Sequence, residues 1–222
     1  MTQPLLLEYF GVLTSQPKVT SKVINRFVRM VKKRYNEGSL MRLLSHPNSQ
    51  VREASLIALR FLGTMQSTQA ILHCLRESEE SLLPLAEATL WSIWFRADSV
   101  EHAEELQRLT GLIERKQYRQ ALIGLNRLIK KAPQFAEAYN QRAVLFWQRK
   151  QYERSIEDCK KALELNPFHF GAQAGIGQCY EGLLMPAEAL QAFRKALKMH
   201  PHLPGLIEKV HTLEELLKSD EE

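Results

Sequence analysis

The sequence predicts an all-α fold, a right-handed α-α superhelix of stacked helical hairpins. Three observations carry this expectation. Pro133, Pro167 and Pro201 stand 34 residues apart. Side-chain volume repeats in phase with them: Tyr118 with Tyr152; Ala121, Ser155 and Ala189; Leu125, Cys159 and Phe193; Leu128, Ala162 and Ala196. A fainter echo at the same spacing runs through the N-terminal half, pairing Val51 with Leu85, Ala54 with Ala88, Leu56 with Leu90 and Leu59 with Ile93. A period of this length, with small residues at fixed places, marks hairpins that bury their core only against neighbouring copies. Such an array presents a long face to something else, so binding is expected before chemistry.

Along the chain, residues 1–17 hold a short apolar run, Leu5 to Leu13, interrupted by Glu8. It is too short to span a bilayer. It also lacks the basic start and small-residue cleavage site expected of a signal peptide. Residues 18–35 read as a basic amphipathic helix. Val19, Val23, Phe27 and Val31 recur at four-residue steps, while Lys22, Arg26, Arg29 and Lys33 line another face. Seven basic residues against the single acid Glu8 give residues 1–35 a net charge of +6, in a chain whose total is +5. That face is either a solvated exterior or a docking surface. The docking readings are an acidic protein partner, an anionic membrane surface or nucleic acid. No aromatics interleave on the basic side, which weighs against single-stranded nucleic acid.

From Gly38 to Ala97 the pattern predicts two helical hairpins. The first, SLMRLLSHPNSQVREASLIALRFLG, breaks at His46-Pro47-Asn48, and the second follows as QAILHCLRESEESLLPLAEATLWSIWF. The phrase HPNSQVREASLIAL resembles a HEAT-type repeat, in which a polar turn precedes a helix opening with an apolar residue, Arg and small residues. Residues 1–100 are therefore read as a HEAT-like helical region. Trp91, Trp94 and Phe95 close it, and at helical spacing large aromatics are expected to pack the junction between the two arrays rather than form an exposed patch.

Residues 101–222 carry the clearest period. The segment AEAYNQRAVLFWQRKQYERSIEDCKKALELNP, Ala136 to Pro167, resembles the tetratricopeptide repeat, with Tyr139, Ala143, Phe146, Tyr152, Ser155, Cys159, Ala162 and Pro167 in the family's positions. The next unit matches at Gly177, Tyr180, Ala189, Phe193, Ala196 and Pro201, and departs at Pro186. Proline is tolerated there because a first-turn amide has no helical partner to lose. The first unit is degenerate: Glu105 stands where an aromatic is expected and Leu109 where a small residue is expected, while Tyr118, Ala121, Leu128 and Pro133 hold the register. The units are read as 102–135, 136–169 and 170–203, followed by a capping helix over 205–218. Leu206, Ile207, Val210, Leu213, Leu216 and Leu217 form its expected apolar stripe.

The resemblance implies that the first helix of each unit lines a concave groove. The inward places are then Leu106, Thr110 and Ile113; Asn140, Gln141, Val144, Trp147 and Gln148; and Ala174, Gln178 and Glu181. Asn140 and Gln141 suit the backbone of an extended peptide, and Trp147 suits an apolar anchor. One subclass binds chaperone C-terminal tails through a carboxylate clamp: Lys and Asn in unit one, Asn in unit two, Lys and Arg in unit three. The matching places here hold Leu106 and Thr110, then Gln141, then Gly171 and Gly175. Chaperone-tail binding is therefore disfavoured. The small residues of the third unit are expected to make a shallow wall with room for a bulkier ligand, such as a partner helix.

Composition bounds the rest. In 222 residues, 45% hydrophobic, a substantial core needs no disulfide, and Cys74, Cys159 and Cys179 are expected to be reduced and buried, consistent with a cytoplasmic protein. No CxxC pair exists and the seven histidines are scattered, so neither a metal nor another cofactor is implied. No GxSxG, phosphate-binding glycine loop or dinucleotide turn is present. The expected function is a non-catalytic scaffold that holds a peptide or helix of another protein in the groove. The alternative is an adaptor that docks through the basic helix.

Overall fold

A computed structural model describes residues 5–15, 18, 20–77 and 80–219. Among these the chain is helical throughout, without a strand. It divides into two compact units, Met1–Ile93 and Trp94–Glu222. The sequence reading set this boundary after residue 100. The earlier division reflects Trp94 and Phe95, whose rings pack with residues of the second unit.

The first unit holds α1 (Leu5–Thr14), α2 (Ser21–Lys32), α3 (Glu37–Leu43), α4 (Ser49–Leu62), α5 (Thr68–Glu77) and most of α6 (Leu83–Trp94). The N-terminus of α2 is set by Thr20, whose hydroxyl accepts from the Val23 amide, a cap that satisfies one orphan donor. This makes α2 shorter than the span read from its pattern; Val19 lies outside the described residues. Phe27 and Val31 are fully buried, while Lys22, Arg26, Arg29 and Lys33 are exposed, so the amphipathic division holds. The His46-Pro47-Asn48 break separates α3 from α4, with the Asn48 side chain accepting from the Gln50 amide at 2.9 Å. Glu37 ties the hairpin to the next turn, accepting from the Thr64 amide at 2.7 Å and from the Ser67 hydroxyl.

The second unit is an α-α solenoid: α7 (Val100–Glu114), α8 (Tyr118–Lys131), α9 (Ala136–Gln148), α10 (Tyr152–Leu165), α11 (Phe170–Gly182), α12 (Pro186–Met199) and α13 (Leu206–Ser219). Each helix packs on the next, and α9 also touches both α7 and α11. The second helices begin 34 residues apart, at Tyr118, Tyr152 and Pro186, with Pro186 in the first turn. Three cores fill the gaps. Leu109, Leu125 and Leu145 centre one; Cys159, Ala162 and Ile176 another; Phe193, Leu206 and Leu213 the last.

The degenerate first unit packs by exchanging volumes across the hairpin. Leu109 replaces the expected small residue, and Gly124 opposite it on α8 makes the room: a Cβ on Gly124 would run into the Leu109 methyls. In the third unit the trade is reversed, with Gly177 bare and the Phe193 ring lying over it. Close-packed interiors hold summed volume more strictly than individual residue identity.

Each first helix ends in the same turn. Lys116, Lys150 and Leu184, again 34 apart, have φ of 59°, 56° and 58°. The following amides, Gln117, Gln151 and Met185, reach back to the carbonyls of Leu112, Phe146 and Tyr180 at 2.8–2.9 Å. This is the Schellman closure, which favours glycine at the left-handed residue. Leu184 is 88% exposed, so its side chain contributes little packing. Leu184→Gly is expected to stabilise the fold by about 0.5–1 kcal/mol, the relief of left-handed strain less the extra entropy of glycine in the unfolded chain. Urea denaturation checks this, and a lowered midpoint would contradict it.

The capping helix departs from its predicted stripe. Leu206, Val210, Leu213 and Leu217 pack on α12, whereas Ile207 and Leu216 are exposed. Residues at i, i+4, i+7 and i+11 follow one seam of a straight helix; the two others fall outside it.

Candidate functional site

The first helices of the three hairpins, α7, α9 and α11, place equivalent residues in columns 34 positions apart. One column is Thr110, Val144 and Gln178; the next is Ile113, Trp147 and Glu181. Val144 and Trp147 share a face of α9, one turn apart, and Trp147 is 41% exposed. Gln148 is also exposed, and Gln141, Thr110, Ile113, Ala174 and Gln178 are half-buried. These residues form an open strip with an aromatic centre. Glu181 stands at its α11 edge and is ion-paired with Lys209 of the capping helix at 2.6 Å. The Lys209 ammonium also lies 5.5 Å from the Phe193 ring centroid.

Toward the helix N-termini the same face is closed. Leu106 is fully buried and Asn140 only 5% exposed, which corrects their placement as groove residues. Asn140 turns inward because Glu137, one turn before it, is itself buried and needs donors. The Glu137 carboxylate accepts from Asn140 Nδ2 at 3.0 Å, Gln141 Nε2 at 2.8 Å and His169 Nε2 at 2.9 Å. On the other side of its ring, His169 Nδ1 accepts from the Ala172 amide at 3.1 Å and caps α11. These two contacts assign the roles of the ring nitrogens: Nε2 donates to Glu137 and Nδ1 accepts. Trp94 stacks on His169 with centroids 4.7 Å apart and meets Phe170 at a tilt, with centroids 5.1 Å apart. Phe170 in turn meets His200 edge-on at 4.9 Å. Trp94 is therefore a packed residue within the second unit. Trp91, by contrast, donates its indole N–H to Glu87 at 3.3 Å.

Arg142 stands beside the clamp places, but it faces α10. Its guanidinium makes a bidentate pair with Asp158, both contacts at 2.7 Å, and donates to Asn126 Oδ1 at 2.7 Å. The Asp158 hydrogen bonds hold the Arg142 pKa above its usual value, against the opposing effect of burial. None of the five clamp places carries a cation, since they are Leu106, Thr110, Gln141, Gly171 and Gly175. Gly175 instead gives room to the Cys159 thiol, where a Cβ would come within 3.2 Å of sulfur. All three cysteines are buried and outside any disulfide; burial pushes the Cys159 thiol up to about 12 and raises that of Cys179 as well. Thiols so placed are protonated at neutral pH and poor nucleophiles. Among the described residues no cluster of three His, Cys, Asp or Glu side chains could hold a metal ion, and no helix is long and apolar enough to cross a membrane.

The columns and their period set the comparison with known proteins. Residues 136–169 match the family model of the tetratricopeptide repeat. A TPR repeat-containing protein of Rhizobium etli is 31% identical over 105 residues, which are 47% of this chain and 52% of that protein. The WD and tetratricopeptide repeats protein 1 of Mus musculus is 34% identical over 79 residues, 34% of this chain and 12% of that one. The matches thus span about half the length of the first relative and far less of the second. Among solved structures, the first TPR of Spaghetti (RPAP3), bound to an HSP90 peptide, aligns with a TM-score of 0.52 at 17% identity, covering 55% of this chain and 96% of that one. The Sgt2 TPR domain from Aspergillus fumigatus gives 0.52 at 17% identity, over 55% of this chain and 83% of that one. At these identities the structural likeness is one of fold. Residues 136–169 thus match the tetratricopeptide repeat, and the helices of the second unit share the fold of solved tetratricopeptide-repeat domains.

Proposed function

We propose that the chain is a non-catalytic recognition module whose open strip on α9 and its neighbours holds a peptide or helix of a partner protein. The observation that carries this reading is Trp147, a large aromatic left 41% exposed at the centre of the strip. Val144 extends the apolar surface beneath it, and Gln148 and Gln178 supply amides at its margins. Aromatic anchors ringed by polar groups dominate the energetics of such interfaces. With Asn140 committed to Glu137, the strip offers fewer backbone-reading amides than its sequence implies, so apolar side-chain recognition leads. Gln141 and Glu181 act at the edges once a ligand competes for their present partners. The missing cations at the clamp places argue against a C-terminal carboxylate as the recognised group. The HEAT-like character of the first unit and a cytoplasmic location belong to the same reading.

The test is affinity capture of partners with the full chain and with Trp147→Ala, at low and at high salt. A captured protein that survives salt and is lost in the variant, by thirtyfold or more for about 2 kcal/mol, supports strip recognition. Capture that ignores Trp147 and collapses in salt refutes it, because contacts between exposed charges are the ones that screening removes.

A further inference from the structure

Two successive repeats close differently between their second helices. The gap between α8 and α10, over α9, is filled from within. The Arg142 guanidinium bonds Asn126 and Asp158 there and lies beside the Tyr139 and Phe146 rings. The Arg154 guanidinium covers Phe146, 4.1 Å from the ring centroid. One repeat later, the places of Arg142, Asn126, Asp158, Tyr139 and Phe146 are taken by Ile176, Lys160, Ala192, Gln173 and Tyr180. Glu188 stands in the place of Arg154. All six of these replacements line a recess of about 520 Å³ between α10 and α12. Ligand sites typically measure about 300–1,000 Å³. On α11, Gln173, Ile176 and Tyr180 are centred about 130° round the helix from Ala174, Gln178 and Glu181, so the recess is separate from the strip.

The groups fixed inside the recess are acceptors and an aromatic face. Gln173 is 8% exposed, and its Nε2 donates to the Ala192 carbonyl at 3.3 Å. Its Oε1 is left as an acceptor to which nothing donates among the described residues. Glu188 is half-buried, and among the described residues no cation pairs with it. No cation lies over the Tyr180 ring among them either, unlike its counterpart Phe146. Lys160 and Lys195 also line the recess, but both are exposed and keep their ammonium groups in water at the rim. Glu164, exposed on the same rim, is paired with Lys161 at 2.8 Å. We propose that this recess receives an arginine side chain from a partner protein. Its methylenes lie on Leu163 and Ile176, its guanidinium covers the Tyr180 ring, and Glu188 pairs with it. The partner thereby supplies from outside the group that Arg142 and Arg154 supply from inside one repeat earlier. A carboxylate would meet the two lysines at the rim, but inside it would face Glu188, the Gln173 oxygen and the negative face of the ring. An apolar side chain would bury Glu188 further without giving it a partner.

The probe is acetyl-Gly-Arg-Gly-amide, with citrulline, lysine or glutamate replacing arginine in the controls. Titrated into the isotope-labelled full chain at about 0.15 M salt, it should shift the NMR signals of the Ala192 methyl and the Tyr180 ring, with a Kd of about a few millimolar. The citrulline and lysine peptides should each bind at least about threefold more weakly. Glu188→Gln should weaken arginine binding about fivefold or more, whereas Lys160→Gln should strengthen it. The double variant Ile176→Arg, Ala192→Asp rebuilds the Arg142 arrangement inside the recess and should abolish binding. Trp147→Ala should leave it unchanged, which separates this site from the strip. Glu188→Gln lies away from the core and keeps the test decisive if the double variant does not fold, which circular dichroism checks. No shift up to about 20 mM peptide, equal binding of the arginine and citrulline peptides, or indifference to Glu188→Gln overturns the proposal. So does a glutamate peptide that outbinds the arginine one and is lost with Lys160→Gln, which would assign the recess to a carboxylate.

Discussion

Asp158→Ala is expected to lower the unfolding free energy by about 3 kcal/mol, the cost of leaving a buried charge without its partner. Asp158 is 8% exposed and Arg142 20%. The guanidinium lies 5.7 and 5.8 Å from the Tyr139 and Phe146 ring centroids, so it cannot swing to water without uncovering them. The pair itself need not be strongly stabilising. Two buried charges lose most of their attraction to desolvation, and an apolar pair of similar volume is often as stable. The double variant Arg142→Met, Asp158→Leu is therefore expected to recover most of the loss. Guanidinium chloride denaturation of wild type, both single variants and the double variant completes the cycle. A loss below about 1 kcal/mol for Asp158→Ala, the level of an exposed pair, would show that Arg142 finds solvent.

Glu137→Ala has a comparable effect for a different reason. Its carboxylate is buried at 1% exposure and serves three donors. Alanine leaves Asn140 and the His169 ring N–H without acceptors, at about 1–3 kcal/mol each, while half-buried Gln141 turns to water. The expected loss is about 2–6 kcal/mol. Glu137→Gln keeps one acceptor oxygen of similar shape and should lose less than half as much. Denaturant melts of the two variants decide the matter. Equal losses would mean that the side chain acts by packing rather than by accepting hydrogen bonds. Glu137→Ala also frees Asn140, and a gain in peptide affinity despite lower stability would identify it as a masked amide of the strip.

The sequence alone determined the repeat and most of its interior. Alanine, serine and proline recur every 34 residues because two helices can cross only where side chains are small, and the second helix ends only where proline forbids continuation. The exposed strip was legible for the same reason: Val144, Trp147 and Gln148 occupy the one arc of α9 that neither hairpin partner covers. So was the division of α2 into a buried stripe and a cationic face, since that depends only on helical period.

What the tertiary structure decided depends on residues far apart in the chain. Asn140 looks like a groove amide until His169, 32 residues beyond Glu137, closes the carboxylate cluster and Trp94 stacks over the ring. Leu109 looks like a misfit until Gly124 appears opposite it. Ile207 and Leu216 belong to the apolar count of α13, yet stand in solvent because only one seam of that helix meets α12. The recess between α10 and α12 draws its lining from three helices, and no single segment announces it. Periodicity reports which face of a helix is apolar, whereas the burial of a given polar or apolar group is set by the volume and hydrogen-bonding capacity of whatever lies across from it.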